Sequence, residues 1–499
     1  MEARLTRRRF LGFAALGLGA AAVTPAAALA RSRRYVDPGP PLLDLRSFGV
    51  VADGRTDDGP ALARAFVSLK RAGGLTLARP GTLLVSRTVV VPDGVFLDLA
   101  GSTVLRAPGM AGPALLVPGA GVVLQRLTVD GNRRGRATGP AIEWQGAHGG
   151  MWDATLTNTD TAGLVVRVAG GDVFCVRVTS TDHVSGVSSA DGFYAALGGR
   201  LRLHACRASE NDRAGVYLEA SAADGCVVDG AFDRNRIAGA YLKAPRGTST
   251  LLQATDNDRF GVIMKQGAGG WVFGRVEVTG SGRPGNTSVT GVELYGAQGN
   301  SFAAAVVRGV TGYGVALAKG DVDGTPASGN SFDLIDVDRG GTGDSDPGLH
   351  LSGGATRNTF GTVRVVAMTA AISIGEGYLP LTNDGNTFQL VHAERCPYTV
   401  VIVRGGSGNR FERIEAVGCS TVDPKIAQGL VDFTGPSTLD NVVTFLDASQ
   451  VADGGARAPL YLAFADAQAR GNQVLGGRAG PSVDGAAADR SGGNSFNVA

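Results

Sequence analysis

The stretch LRSFGVVADGRTDDGPAL, residues 45–62, decides how the fold begins. An apolar segment leads into a Gly-rich turn, which predicts a strand followed by a tight reversal. Two acids, Asp57 and Asp58, then precede Pro60 at the start of a helical pattern. Acidic side chains accept hydrogen bonds from the free N–H groups of a first helical turn, and proline suits that turn. We therefore expect a helix that caps one end of a sheet stack. Its apolar stripe consists of Leu62, Phe66 and Leu69.

The same stretch resembles the opening of the pectate-lyase-like superfamily, which includes rhamnogalacturonases and related lyases and epimerases. In that superfamily a Phe-Gly-Ala, Asp-Gly and Thr-Asp-Asp signature precedes the coil. This chain has Phe48-Gly49-Val50, Asp53-Gly54 and Thr56-Asp57-Asp58. The resemblance covers residues 42–110 and implies an all-β fold, a single-stranded right-handed parallel β-helix with an N-terminal capping helix. It includes no catalytic residue.

A repeat supports the same architecture from the residues themselves. An asparagine followed two positions later by phenylalanine or valine recurs every 22 to 30 residues, with one double step. The asparagines are Asn300, Asn330, Asn358, Asn386, Asn409, Asn472 and Asn494. A period of this length, with short alternating strands between, is typical of a β-solenoid in which each coil contacts its neighbours. We expect each asparagine at a turn, in the left-handed region, bonded to the coils above and below.

The first thirty residues have the pattern of an export signal. TRRRFL at residues 6–11 is a twin-arginine motif, an apolar run follows over 12–23, and Ala28-Leu29-Ala30 offers a cleavage site. The run is shorter than the ~20 apolar residues that span a bilayer, although a membrane anchor is the alternative. We expect a signal peptide over 1–30, a linker over 31–41 and the β-helix over 42–499. This predicts a secreted protein, extracellular or periplasmic, with the twin-arginine translocon as its export partner and no transmembrane segment after cleavage.

Charge and cysteine content exclude other classes. The formal net charge is +2, and residues 1–30 carry four arginines and one glutamate, so the remainder is close to neutral. No basic stripe or nucleic-acid-binding motif occurs, which argues against nucleic acid as a partner. Five cysteines cannot all pair within one chain. Cys396 and Cys419 lie close to one repeat apart and could bridge, but two buried thiols are the favoured interpretation.

The residues with most chemistry lie in segments that begin at Gly192, Gly215, Gly239, Gly261 and Gly291. In each Gly-Φ-x-Φ-x segment, alternation directs the third and fifth residues outward. The predicted outward residues are Tyr194, Tyr217, Glu219, Tyr241, Lys243, Ile263, Lys265, Glu293 and Tyr295. Tyrosines offer platforms for sugar rings, cations bind uronate carboxylates, and acids and tyrosines transfer protons. A solvated surface that keeps the rod soluble is the alternative.

Residues 191–215 carry a second, local resemblance. Asp191-Gly192-Phe193 and Asn211-Asp212-Arg213 are similar to a segment of bacterial mannuronan C5-epimerases, in which the arginine lies near the uronate carboxylate. The resemblance makes Asp191 and Arg213 catalytic candidates. The family's Tyr-Gly-x-Asp-Pro-His motif is absent at residues 167–172, and Ala214 replaces its histidine, so epimerisation is a minor hypothesis. Polygalacturonase motifs are missing apart from Asn158-Thr159-Asp160.

We therefore expect a secreted carbohydrate-active protein and favour an enzyme over a binder. The substrate is a uronate-containing polysaccharide, cleaved by β-elimination or by hydrolysis; the alternative is a non-catalytic carbohydrate-binding or cell-surface β-helix. The predicted catalytic residues are Asp191, Arg213, Tyr217, Glu219, Tyr241 and Lys243. The predicted substrate-binding residues are Tyr194, Lys265, Glu293 and Tyr295. To act as bases near neutral pH, tyrosine and lysine would need lowered pKa values, which clustered positive charge can produce.

The sequence contains no strong metal-binding motif. The five histidines are scattered, without the paired spacing of zinc sites. Calcium is a candidate at the acidic turns 321–324 and 344–346, although neither has the spacing of an EF-hand loop. Plain turns are the favoured interpretation of both segments.

Overall fold

The computed structural model describes residues 42–69, 73–167, 171–185, 190–282, 289–321, 324–339, 346–375, 382–419, 429–451, 461–479 and 487–497. Leu43–Ala499 form one compact unit. The predicted signal peptide and linker lie outside the described residues. Within the part of the chain described, no helix is both long and apolar enough to cross a membrane.

Among the described residues, two long parallel sheets contain 16 and 24 strands. The 16-stranded sheet consists of Val89–Val90, Leu115–Val117, Ile142–Trp144, Leu164–Arg167, Phe193–Ala196, Ala214–Leu218, Ala238–Leu242, Phe260–Lys265, Thr290–Tyr295, Tyr313–Ala318, Leu349–Leu351, Ala370–Ile374, Thr399–Val403, Gly429–Phe433, Tyr461–Ala465 and Ala487–Asp489. Each of its strands pairs in parallel with the strand one coil away, as in Ala214–Leu218 with Ala238–Leu242.

The 24-stranded sheet contains the intervening strands. They are Leu43–Asp44, Asp53–Asp57, Gly73–Thr76, Thr82–Val85, Val95–Arg106, Val123–Asp130, Gly149–Trp152, Thr155–Thr157, Asp172–Val176, Thr179–Thr181, Arg200–Ser209, Cys226–Asp233, Gly247–Thr255, Val272–Thr279, Ser301–Arg308, Ser331–Asp338, Thr359–Val366, Thr387–Glu394, Arg410–Val417, Val442–Val443, Leu446–Gln450, Gln473–Val474, Gly477–Ala479 and Ser495–Phe496. Gly406–Ser407 and Thr438–Leu439 form a further two-stranded sheet. Because successive strands along the chain alternate between the two long sheets, the fold is a parallel β-solenoid, as predicted. Its right-handed sense of coiling stays a prediction.

The N-terminal stretch differs in part from the expectation. Residues Leu45–Phe48 form a 3₁₀ helix instead of a strand, and the side chain of Asp44 accepts from the backbone N–H of Arg46. The predicted α-helix spans Gly59–Ser68. Its Leu62 and Phe66 are buried in the main core, against which Leu69 also packs. Whether the helix caps the stack stays a prediction.

The two acids before the helix have separate partners. Asp57 accepts from the backbone N–H of Gly59 at 3.0 Å, as expected of a residue at a helix start. Asp58 is the N-cap residue but makes no side-chain cap. Its carboxylate instead accepts from the N–H groups of Val51 and Ala52, so it anchors the preceding turn.

The asparagine repeat forms a buried hydrogen-bonded ladder. The Nδ2 group of Asn330 donates to Oδ1 of Asn358 at 3.0 Å, and the same bond recurs from coil to coil. The ladder includes Asn441, which occupies the middle of the apparent double step and donates to Asn472 at 2.8 Å. A second ladder joins Asn211, Asn235 and Asn257. The side-chain amides thus join successive coils, as predicted.

The expectation that these asparagines adopt the left-handed region is wrong. For all of them except Asn494, the residue just before the asparagine does so instead, for example Gly299 at φ 64° and Gly329 at φ 65°. Glycine is not required there, because Arg357, before Asn358, has φ 53°. The turn therefore places its strain one residue earlier and leaves the asparagine amide aligned with the next coil.

The phenylalanines two residues after the asparagines stack inside the coil. Ring centroids of Phe302 and Phe332 are 4.4 Å apart, and those of Phe360 and Phe388 are 4.7 Å apart. These rings are at most 1% exposed. The five cysteines are all buried and free, so Cys396 and Cys419 do not pair.

Candidate functional site

The predicted outward residues lie on two adjacent parallel lines of the 16-stranded sheet. Parallel register sets Tyr194 opposite Tyr217, and Tyr217 opposite Tyr241. The line continues through Ile263 to Glu293. Lys265 lies opposite Tyr295 on the parallel line two residues later. We call the surface formed by Tyr194, Tyr217, Glu219, Tyr241, Lys243, Ile263, Lys265, Glu293 and Tyr295 the polar stripe.

Asp191 and Arg213 form the strongest ion pair beside this stripe. The Arg213 guanidinium donates from Nε to Asp191 Oδ1 at 2.9 Å and from a terminal nitrogen to Oδ2. The backbone N–H of Ala214 also donates to this carboxylate. Burial raises the pKa of Asp191 to about 6, while the hydrogen bonds from Arg213 act in the opposite direction. Asp191 is therefore anionic at neutral pH.

Arg213 also stacks on the tyrosines. Its guanidinium carbon lies 3.9 Å from the Tyr217 ring centroid and 6.0 Å from that of Tyr194. The Tyr217 ring in turn packs edge-on against Tyr241, with centroids 4.8 Å apart. Cation–π contacts of this kind add about 0.5–2 kcal/mol when they are shielded from water. The ion pair is therefore held rigidly by the aromatic layer next to it.

The tyrosines do not have the lowered pKa values expected from clustered cations. Burial raises the pKa of Tyr217 strongly, and its hydrogen bond to Glu219 adds to the effect. Burial also raises the pKa of Tyr194 and of Tyr241. All three tyrosines keep their protons at neutral pH, so they can donate a proton but cannot serve as bases. Tyr217 is only 4% exposed, so its ring supports the surface instead of facing a ligand.

Lys243 is adjacent to the same carboxylate. Its Nζ lies 3.6 Å from Oε2 of Glu219, and 5.3 Å and 5.7 Å from the ring centroids of Tyr217 and Tyr241. Glu219 therefore has an amine on one side and a phenol on the other.

A second polar cluster lies farther along the stripe and consists of Lys265, Glu293, Tyr295 and Asp321. Lys265 forms an ion pair with Asp321, and its Nζ lies 4.5 Å from the Tyr295 ring centroid. A hydrogen bond to Asp321, together with burial, raises the pKa of Tyr295 to about 12. Burial raises the pKa of Glu293 to about 7, although Lys265 and Arg259 favour its ionised form. Glu293 can therefore gain or lose a proton close to neutral pH.

A cleft of about 330 Å³ opens at the other end of the stripe. Its lining consists of Pro140, Glu143, Thr161, Ala162, Val165, Arg167, Asp191, Tyr194, Arg213 and Glu219. Four predicted site residues therefore meet here, whereas Tyr217, Tyr241, Lys243, Lys265, Glu293 and Tyr295 lie outside the lining. The cleft combines carboxylates, guanidinium groups and a tyrosine ring.

Sequence reasoning missed Glu143 and Arg167. Glu143 lies opposite Val165, and Val165 lies opposite Tyr194, so Glu143 continues the line of the stripe by two coils. Its segment has no Gly-Φ-x-Φ-x start, which is why the pattern did not include it. Arg167 ends the strand Leu164–Arg167 and points to the same cleft. The alternation of that strand was the available signal.

A buried hydrogen-bond chain lies behind the cleft. Thr159 Oγ1 lies 2.8 Å from Nδ1 of His183, whose Nε2 lies 2.9 Å from Ser180 Oγ. Ser180 in turn donates to the carbonyl oxygen of Gly192, the residue after Asp191. Burial lowers the pKa of His183 to about 3, so the ring is neutral. The histidine is therefore a fixed support, and Asn158-Thr159-Asp160 belongs to this support and its turn.

The metal prediction has little structural support. In the described ranges, no group of three or more His, Cys, Asp or Glu residues could hold a metal ion. Asp321 is engaged by Lys265. The remaining acids of the two candidate calcium turns, apart from Asp346, lie outside the described residues, as do residues 168–170 of the segment compared with the epimerase motif.

Comparisons with known proteins add the following. No family model matches the chain, and no curated protein sequence matches it. Among solved structures, the A-module of the Azotobacter vinelandii mannuronan C-5 epimerase AlgE6 is 14% identical, with a TM-score of 0.31, covering 92% of this chain and 99% of that one. A tailspike double mutant of E. coli bacteriophage HK620, in complex with a pentasaccharide, is 12% identical, with a TM-score of 0.36, covering 94% of this chain and 79% of that one. The chemistry must therefore be argued from this chain's own residues.

Proposed function

We propose that this protein is a secreted carbohydrate-active enzyme that acts on a uronate-containing polysaccharide bound along the polar stripe. The observation that carries the proposal is the cleft, where Tyr194, Arg213 and Glu219 meet on one surface. An aromatic ring beside paired charges suits a sugar, which presents both apolar C–H faces and polar hydroxyls. The stripe continues beyond the cleft over further coils, along which a polymer would extend.

β-Elimination at a uronate requires a base that removes the α-proton and an acid for the departing oxygen. Glu219 is the carboxylate of the cleft that is held between Lys243 and Tyr217. We assign it as the proton acceptor. Tyr194 lines the same cleft with a raised pKa and keeps its proton, so it serves as the donor. Arg213 and Asp191 hold the surface and its charge in place.

Hydrolysis is the second reaction that the cleft can accommodate. An inverting hydrolase uses two carboxyl groups ~6.5–9.5 Å apart, one as acid and one as base. Glu143 and Glu219 both line the cleft, three coils or ~14 Å apart along the axis, so they would act as that pair only with their side chains leaning toward each other over a ligand. The two reactions differ in their products, since only elimination leaves an unsaturated uronate.

Non-catalytic binding is favoured by one specific observation. The stripe's cations are already paired with acids: Arg213 with Asp191, Lys243 with Glu219 and Lys265 with Asp321. Such prepaired groups form a rigid surface that recognises a ligand without exchanging protons with it.

One screen separates these functions. The purified mature protein is incubated with acidic and neutral polysaccharides, while absorbance of unsaturated uronates, reducing ends and binding are followed together. Elimination raises the absorbance, and hydrolysis raises reducing ends alone. Binding without either signal supports the non-catalytic function, and no binding to any glycan contradicts the proposal.

Two further features belong to this proposal. We infer export by the twin-arginine route from the motif at residues 6–11. We also infer right-handed coiling, because crossovers between parallel strands of one sheet are right-handed in about 98% of cases.

A further inference from the structure

Arg167 differs from the other cations of the cleft and the stripe. Its guanidinium carbon lies 5.6 Å from the Tyr194 ring centroid, and the residue is exposed. Within the described ranges it has no ion pair, whereas Arg213, Lys243 and Lys265 each have a carboxylate partner. Its positive charge is therefore the one in the cleft that no neighbouring acid offsets.

The register places Arg167 across a gap from Glu219. Arg167 lies opposite Ala196 on the next coil. Ala195 pairs with Leu218, and the N–H of Glu219 donates to the carbonyl of Ala195, so Glu219 continues the line one coil farther. Two coil spacings of ~4.8 Å separate the two charged residues along the axis. Ala196, with its small side chain, lies between them in the register.

Tyr194 supplies a surface beside this gap. Its ring is partly exposed and contacts the guanidinium group of Arg167 on one side. A pyranose ring set on Tyr194 would have a fixed cation at one edge and the Glu219 carboxylate at the other. Guanidinium groups bind carboxylates through two parallel hydrogen bonds, a geometry that lysine does not match.

We propose that Arg167 is the carboxylate-binding residue of the cleft and makes it selective for acidic sugars over neutral ones. This inference rests on the proposed function, because it takes the cleft as the sugar site. It assigns the recognition of the substrate's charge to Arg167 and a supporting role to Arg213. Arg213 is fully occupied by Asp191 and Tyr217, so it has little remaining capacity for a ligand carboxylate.

The test compares two exposed arginines that each lie beside an aromatic ring; Arg478, unlike Arg167, also pairs with Asp447 at 3.5 Å. Arg478 on the other long sheet also has its guanidinium carbon 5.6 Å from a ring, that of Phe445, and is exposed. Arg167→Gln and the control Arg478→Gln are titrated with oligomers of galacturonate, mannuronate and glucuronate, and with the carboxyl-reduced, neutral form of each. Thermal melting verifies that both variants are folded.

We expect Arg167→Gln to weaken binding of an acidic oligomer at least tenfold and to leave binding of its neutral form unchanged. Arg478→Gln should bind both as the unmutated protein does. Equal losses for acidic and neutral forms, unchanged binding by Arg167→Gln, or a preference of the unmutated protein for neutral oligomers would overturn the assignment of Arg167 alone. Failure of the unmutated protein to bind any of the oligomers would overturn the proposed function together with it.

Discussion

The guanidinium of Arg213 donates two hydrogen bonds to the carboxylate of Asp191, which lies one coil away and has no exposed surface. Sequence reasoning paired these residues by resemblance and gave both a catalytic role. The geometry gives them a structural one as well, because a carboxylate buried this deeply requires a partner.

Replacing Arg213 with alanine should therefore reduce stability as well as activity. The change leaves the Asp191 carboxylate buried without its cation, which costs about 3–5 kcal/mol when one partner of such a pair is removed. We expect the double variant Arg213→Ala/Asp191→Ala to recover part of that loss. Chemical denaturation measures it, and Arg364→Ala on the other long sheet is the control. A single variant as stable as the unmutated protein would show that the pair has no structural role.

The stacked phenylalanines predict a large core effect. Phe360 has no exposed surface and lies between Phe332 and Phe388 in the stack. Phe360→Ala should destabilise the protein by about 3–5 kcal/mol, since it removes a buried ring and leaves a cavity. Leu251→Ala on the same sheet is the control, because Leu251 is 39% exposed and should cost far less. If both variants lost the same free energy of unfolding, the stacked rings would not be the main source of stability in the coil.

The line of outward residues could be predicted because side chains in a strand alternate strictly between its two faces. The glycine at the start of each segment set which positions face outward. Glu143 escaped because its segment lacks that start. Arg167 occupies the fifth position of a Gly-Φ-x-Φ-x segment that begins at Gly163, so the same pattern contained the signal for it. The direction of the tyrosine pKa shifts was not predicted either. It depends on burial by neighbouring coils, and the local sequence contains no information about that burial. Asn441 also fits the repeat, because Val443 follows it by two residues, so the apparent double step was a missed match in the sequence.

His183 predicts a loss of stability in acid. Burial lowers its folded pKa to about 3 from 6.5, so between these values the unfolded chain binds the proton more tightly. Stability should therefore fall as pH decreases below 6.5, with a slope approaching about 1.4 kcal/mol per pH unit. His183→Gln should flatten the slope between pH 6.5 and 4 in denaturation experiments. An unchanged slope would mean that the histidine charges without unfolding the protein.

Export can be tested independently of the fold. Lysine does not replace arginine in a twin-arginine motif, so Arg7→Lys/Arg8→Lys should retain the precursor in the cytoplasm. Cell fractionation followed by N-terminal sequencing reads the outcome, with cleavage after Ala30 expected in the exported protein. Arg4→Lys, upstream of the motif, is the matched control. If the double variant were exported as before, Arg7 and Arg8 would have no role in targeting.

Glu293 predicts the opposite pH dependence to His183. Burial raises its pKa to about 7 from 4.5, so between these values the folded protein holds the proton more tightly than the unfolded chain. The contribution of Glu293 to stability is complete below pH 4.5 and is lost as pH rises through 7. Glu293→Gln cannot ionise and should remove this decline, which denaturation at pH 5, 6, 7 and 8 would reveal as a flatter profile. Glu277→Gln is the sign control: hydrogen bonds from Gln253 and Arg275 lower the pKa of Glu277, so its contribution is lost on acidification instead. A Glu293→Gln profile parallel to that of the unmutated protein would show that Glu293 is ionised throughout, which would remove it as a proton-transfer group near neutral pH.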